Sequence, residues 1–180
     1  AGSKKVFEEL ARKNLAVFRE HGVDRIVSNC PSCTAVFKKD YKKILGDEWD
    51  IEVLHISEVI DKSLSKLIKV EKNKQATFHD PCHLGRSLGI FDQPRAIIKQ
   101  AGYKLVEMEY SREKSACCGA GGGVKGNASE LSGRIREDRV TQARKAKADV
   151  LITNCPMCNK QLAENAQKMK VLELCDLFDV

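Results

Sequence analysis

The sequence predicts an α/β protein of two pseudo-symmetric lobes, each a mainly parallel sheet flanked by helices, with the first lobe truncated. Strand-length apolar runs alternate with helical patterns, the signature of parallel β–α units. A ten-residue block recurs in matching surroundings, which makes the chain one and a half copies of a repeat. Cysteines stand where those strands pass into helices.

The repeated block is Asp24-Arg25-Ile26-Val27-Ser28-Asn29-Cys30-Pro31-Ser32-Cys33, matched by Asp149-Val150-Leu151-Ile152-Thr153-Asn154-Cys155-Pro156-Met157-Cys158. Upstream of each lies a helical pattern, Phe7, Ala11, Leu15 and Phe18 in the first and Leu131, Ile135 and Ala143 in the second. Downstream of each come a helix and a short apolar strand, Ile51–His55 and Lys170–Leu174, and then an acidic-apolar segment. This divides the chain into residues 1–70, the second half of a first repeat, and residues 71–180, a complete second repeat. The first copy begins in mid-repeat, which predicts a fragment of a longer chain.

In the second copy, Gln75–Cys82 reads as a strand running into Pro81. A helix over Pro94–Gln100 begins at a proline, whose missing N–H is an orphan at a first helical position, and stops at Gly102. Lys104–Glu109 reads as the next strand. A glycine-rich loop follows Cys117-Cys118, then a helix over about Ser129–Ala146, the strand Val150–Thr153 and the Cys155 helix.

With 42% hydrophobic and 31% charged residues, the composition is that of a globular domain, and the longest apolar runs are strand-sized, too short to span a membrane. The net charge of +6 is scattered over helix faces, as at Lys38, Lys39, Lys42 and Lys43, and only 6% of residues are aromatic. Nucleic-acid binding is therefore not expected. The N-terminal stretch is amphipathic and charged, unlike a secretory signal. Eight cysteines in such a chain point to metal or redox chemistry in a reducing, cytoplasmic setting rather than to a disulfide framework.

Pro156 suits the first position of a helix, so Cys155 falls at its N-cap and Cys158 one turn on, both facing unpaired N–H groups and the positive helix end. Cys30 and Cys33 repeat this arrangement. Two convergent thiolates of this kind can ligate a metal or form a redox disulfide. Cys117 and Cys118 are adjacent, a poor geometry for a mutual disulfide but a good one for two ligands to a multi-metal cluster. Gly119, Gly121 and Gly122 behind them let backbone N–H groups approach anionic sulfur. Cys82 lies between Asp80-Pro81 and His83-Leu84-Gly85-Arg86. His79 and His83 read equally as structural imidazoles or functional groups. Arg86 can clamp an anion or make a surface ion pair. Cys175 aligns with Ser57 and is expected to be a buried, inert thiol.

Cys82, 34 intervening residues, Cys117-Cys118-Gly119, 35 intervening residues and Cys155-x-x-Cys158, together with His79-Asp-Pro-Cys-His-Leu-Gly-Arg86, resemble the CCG domain family. The family includes heterodisulfide reductase catalytic subunits and the iron–sulfur subunits of glycolate, lactate and glycerol-3-phosphate oxidation. The resemblance implies a 4Fe–4S cluster, non-cubane in form, held by Cys82, Cys117, Cys118, Cys155 and Cys158. It leaves Cys30 and Cys33 as a second, incomplete site, open to zinc. It implies electron transfer. Five thiolates exceed what one cubane needs, which favours an open iron and disulfide reduction as the terminal reaction, and His83 and Arg86, next to Cys82, are the candidates for proton delivery and for holding an anionic substrate. The alternative within the family is a relay serving a flavin-dependent dehydrogenase. Implied partners are an upstream ferredoxin-like segment or subunit and a flavin-containing or membrane cytochrome subunit, which would bring the protein to the inner face of the membrane. Outside the family, the competing readings are a closed four-thiolate zinc site and a cluster-free thiol–disulfide oxidoreductase.

Overall fold

Parallel strands with both faces covered organise the second repeat. The computed structural model describes residues 2–64 and 72–178, so the expected boundary between residues 70 and 71 lies outside the described residues. In order, the elements are helix α1 (Lys4–Glu20), strand β1 (Arg25–Ser28), helix α2 (Pro31–Ala35), a π-helical stretch (Val36–Tyr41), α3 (Lys42–Leu45), β2 (Glu52–His55) and α4 (Ile56–Lys62). The second repeat follows with β3 (Gln75–His79), a π turn (His83–Ser87), α5 (Asp92–Gln100), β4 (Lys104–Leu105), α6 (Val124–Asn127), α7 (Ser129–Lys145), β5 (Val150–Thr153), α8 (Pro156–Ala163), β6 (Lys170–Glu173) and a 3-10 turn (Leu174–Leu177).

The strands form two all-parallel sheets, β1-β2 and β4-β3-β5-β6. The repeat is exact in register: Arg25 pairs with Glu52 and Ser28 with His55, as Val150 pairs with Lys170 and Thr153 with Glu173. His55 and Glu173 then do the same job. Each caps the element that follows through a reciprocal capping box, with Glu58 and Asp176 respectively. The sheets and the lobes related by this repeat are those the sequence predicts.

Side chains alternate across the four-stranded sheet. Ala76, Phe78, Val150 and Ile152 pack with Ile97 and Ile98 of α5 and with Leu174 and Leu177. Ile60 and Leu64 of the first lobe join this core, so α4 ties the halves together. On the opposite face Leu151 packs with Val140 and Ala143 of α7, Leu162 of α8, and the sulfur-bearing Cys118 and Cys158. The first lobe has an aromatic core instead, in which Trp49 stacks on Phe37 and Tyr41 meets Phe7, Phe37 and Trp49 edge-on.

Three expected boundaries shift by two residues or more. The strand expected to reach Cys82 ends at His79, because Asp80 turns its carboxylate to Arg95 and Pro81 has no N–H for the ladder. The strand expected over Lys104–Glu109 ends at Leu105, with Val106 making a last bond to the Ala76 carbonyl before Glu107 leaves to meet Arg95. Helix α5 begins at Asp92 rather than Pro94. Pro94 lies within the first turn, where the missing N–H costs nothing.

Arg95 holds this corner. It is buried, spans both Asp80 oxygens at 2.8 and 2.9 Å, and reaches Glu107 at 2.6 Å. Asp80 also accepts the Arg112 backbone N–H. Replacing Arg95 with alanine leaves the Asp80 carboxylate buried and uncompensated, so Arg95→Ala is expected to lower unfolding stability by about 3–5 kcal/mol, read from the denaturant midpoint.

Candidate metal centre

The parallel register of β3 and β5 sets His79 opposite Thr153, so both chains leave the sheet at the same edge. Cys82 follows one strand and Cys155 the other. Cys155 is the N-cap of α8 with Pro156 at its first position and Cys158 in its first turn, and Cys30 is the N-cap of α2, where its sulfur also accepts the Cys33 N–H. These N-cap placements are those expected from the Cys-Pro-x-Cys spacing.

The Cys117-Cys118 loop is brought to this edge by Ser115 and Gly119. The Ser115 hydroxyl donates to the Asp80 carbonyl and accepts from Arg139, while its carbonyl accepts from Arg86 at 2.7 Å. Gly119 has φ +86°, and a Cβ there would stand 2.8 Å from the Ser132 carbonyl. The Gly119 carbonyl accepts from the Ser132 hydroxyl, which in turn accepts from Gln161 of α8. Loop, α7 and α8 are thus joined by one hydrogen-bonded chain.

Five cysteines are linked electrostatically along this edge. Cys158 donates to Cys118 at 3.3 Å, and Cys82 interacts with Cys117, Cys117 with Cys118, and Cys158 with Cys155. Cys118 and Cys158 are buried, Cys82 and Cys155 half-buried, and Cys117 exposed, and all eight cysteines are free thiols. The array ionises unevenly, because adjacent thiolates repel. Cys117 is drawn far below the ordinary thiol value by its Cys118 and Cys82 partners. Cys82 is pushed far up by Cys117 and burial, and Cys158 by Cys118, Cys155 and burial. Cys118 rises to about 11, chiefly through Cys117. Cys155 falls to about 7 through Cys158, helped by the Cys158 and Met157 amides against burial.

The donor set fits a multi-iron sulfide group. Among the described residues the ligand-type groups placed together here are thiols and one imidazole, with the Glu173 carboxylate acting on Cys155 only through its charge, and bound metal charge would remove the repulsion that keeps the thiols from ionising together. The Gly119 N–H points at the Cys117 sulfur at 3.3 Å. Arg139, fully buried on α7, forms no ion pair among the described residues and lies close enough to feel the charges of Asp80, Cys158, Glu107 and Cys118, Asp80 most strongly. Burial brings its pKa down to about 10, still a cation at neutral pH.

His79 completes the inner wall. One ring nitrogen lies within 4.8 Å of the Cys118 and Cys158 sulfurs. Burial, reinforced by the Arg139 charge, pushes its pKa well below the imidazole range, so the ring is neutral. His83 is exposed, its Nδ1 3.4 Å from the Cys82 sulfur, and Arg86 is exposed and tethered to Ser115. Gly121 and Gly122 are exposed with open space around them, away from the packing that constrains Gly119. Cys30 and Cys33 sit on α2, which packs against the π turn after Cys82, and the Cys155 charge reaches both. Cys175 is exposed, against the expected burial, because it lies on the outer side of a 3-10 turn whose Leu174 and Leu177 take the core positions. Arg139 was not singled out from sequence. Its signal is the spacing Ser132, Arg139, Val140 and Ala143, which puts a guanidinium on the buried stripe of α7.

The model of the CCG cysteine-rich domain matches residues 1–38 and 76–163. The chain belongs to the CCG domain family. Among its CCG-related relatives, a subunit of the dihydromethanophenazine:CoB–CoM heterodisulfide reductase of Methanosarcina mazei is 40% identical over 167 residues, covering 91% of this chain and 41% of the relative. A subunit of the fumarate reductase (CoM/CoB) of Methanothermobacter marburgensis is 33% identical, covering 99% and 36%. EtfAB:quinone oxidoreductase of Syntrophomonas wolfei is 32% identical, covering 99% and 26%. The chain thus spans well under half the length of these curated relatives. An aspartate racemase homologue from Pyrococcus horikoshii, 11% identical, superposes at a TM-score of only 0.43 over 97% of this chain and 70% of that one. Among the described residues, no helix is long and apolar enough to cross a membrane.

The glycines separate by conformation. Gly119→Ala is expected to destabilise the fold by about 1–3 kcal/mol through its positive φ and the Ser132 carbonyl. Gly121→Ala is expected to stay within about 0.5 kcal/mol of the parent, both read by chemical denaturation.

Proposed function

We propose that this chain is the electron-carrying CCG portion of an iron–sulfur oxidoreductase, with Cys82, Cys117, Cys118, Cys155 and Cys158 holding one 4Fe–4S cluster of non-cubane form. The observation that carries the reading is that five thiols from three chain segments are electrostatic neighbours, Cys82 with Cys117, Cys117 with Cys118 and Cys155 with Cys158, joined by the 3.3 Å Cys118–Cys158 bond. A cluster so held supplies single electrons at a sulfur-lined edge. The protein binds it through the five thiolates, screens it with Cys118 and Cys158 buried inside, and leaves Cys117 at the open side.

Disulfide reduction is the proposed terminal reaction: a disulfide takes two electrons and two protons and leaves as two thiols. The exposed side supports this. Cys117 is accessible, His83 stands beside Cys82 with a ring nitrogen positioned to pass protons, and Arg86 presents a cation for an anionic substrate. Electrons would come from a ferredoxin-like segment or subunit or a flavin-containing or membrane cytochrome partner. The second reading, a relay for a flavin-dependent dehydrogenase, draws on the relative named EtfAB:quinone oxidoreductase. Cys30 and Cys33 are proposed as the incomplete second site, able to take zinc.

Anaerobically prepared protein is expected to carry about four irons and four sulfides for the complete site. Cys155→Ser should remove most of that iron, while the Cys30→Ser, Cys33→Ser double variant should keep nearly all of it. Stoichiometric zinc without labile sulfide in the five-cysteine site would overturn the cluster assignment, and equal losses from both variants would merge the two sites into one.

The two chemistries part on electron paramagnetic resonance of the intact parent protein. Adding a heterodisulfide to the oxidised cluster should create a new substrate-dependent iron–sulfur signal. Its absence with every thiol and disulfide tried, while a flavin partner still reduces the cluster, makes the domain a relay and removes the roles given to His83 and Arg86.

A further inference from the structure

We infer that Arg139 fixes His79 as a hydrogen-bond donor to the Cys118 and Cys158 sulfurs, so that His79 tunes the group those thiolates hold and does not ligate it. The inference rests on the five-cysteine cluster reading and concerns two residues outside it.

The guanidinium of Arg139 has donors only, and its Nε–H donates to His79 Nδ1 at 2.9 Å. That nitrogen must therefore be bare, and in a neutral imidazole the proton then sits on Nε2. Arg139 cannot turn to permit the other tautomer. Its Nη1 donates to the Tyr110 carbonyl and the Gln142 side chain, both at 2.7 Å, and its Nη2 to the Ser115 hydroxyl at 2.9 Å. The lone pair of Nδ1 is occupied by Arg139 and that of Nε2 by its own proton. Neither is left for a metal.

Nε2 is completely buried and has no partner among the described residues. A buried donor without an acceptor is costly. A nitrogen of this ring lies within 4.8 Å of the Cys118 and Cys158 sulfurs, and with Nδ1 taken by Arg139, Nε2 is the nitrogen left to meet them. Cluster thiolates supply the missing acceptor. Reduction adds negative charge to the sulfurs, so a donor there stabilises the reduced state and raises the potential. Arg139 is the positioning residue: it acts through the ring it orients.

The test uses full-length protein loaded anaerobically. In His79→Asn the side-chain oxygen can still accept from Arg139, but the side chain is too short to reach the sulfurs. In His79→Gln an amide N–H can take the place of Nε2–H. Asparagine is expected to leave iron and sulfide content unchanged and to lower the reduction equilibrium constant about tenfold, a midpoint shift of about 59 mV for a one-electron couple. Glutamine should recover part of the shift. In wild-type protein labelled with 15N-histidine, electron–nuclear double resonance should show weak nitrogen coupling and an exchangeable proton that asparagine abolishes.

Strong coupling of a directly bound histidine nitrogen overturns the inference without recourse to any variant. An unchanged midpoint in loaded His79→Asn protein also overturns it while leaving the cluster reading intact. Wild-type protein that takes up no iron and sulfide overturns the cluster reading and this inference together.

Discussion

The centre depends on how two parallel strands are paired. With His79 opposite Thr153, β3 and β5 end level, and the segments bearing Cys82 and Cys155 emerge side by side. A slip of one residue would turn His79 away from the buried sulfurs and move the core side chains of the strand to the wrong face. Burial on both faces specifies the register: all four residues of β5 are buried, and Phe78 and Leu151 lie in cores on opposite sides. The apolar packing of the sheet is thus also what brings distant cysteines together.

Buried positive charge divides the surrounding architecture into two kinds of support. Arg95 is neutralised by Asp80 and Glu107 and fixes the turn before Cys82. Arg139 has neutral acceptors and a histidine around it and faces thiols. The first is a structural clamp complete in itself. The second is a cation without an ion pair among the described residues, whose charge is felt by the Asp80 carboxylate first and by the Cys158 and Cys118 sulfurs after it.

The repeat made much of this fold legible. Matching Asp24–Cys33 to Asp149–Cys158 carries over strand, N-cap cysteine and helix, and the registers of β1-β2 and β5-β6 coincide position for position. Cys82, Cys118 and Cys155 each sit beside a proline or glycine that shapes the local backbone, which made the turns that carry them legible from spacing. Polar groups that work through tertiary contacts were not. Arg139 lies 60 residues from its partner His79, and nothing local to α7 marks its side chain as turned inward beyond its place on the apolar stripe. Strand ends were misread at Asp80 and Glu107 for the same reason, since both carboxylates answer to Arg95. Cys175 shows the reverse error, where alignment with a buried serine did not carry burial with it.

The contrast between the two cores has a spectroscopic consequence. The chain has one tryptophan, Trp49, and it lies within the aromatic cluster of the first lobe, against Phe37, Tyr41 and Phe18. The four-stranded sheet and the sulfur-bearing edge contain none. Indole emission therefore reports on residues around α1, α3 and β2 and on the neighbourhood of Cys33, and lies outside the core that holds Cys118 and Cys158. Under denaturant, the indole transition follows the first lobe, and its offset from a far-ultraviolet probe of the whole chain measures how firmly α4 couples the halves.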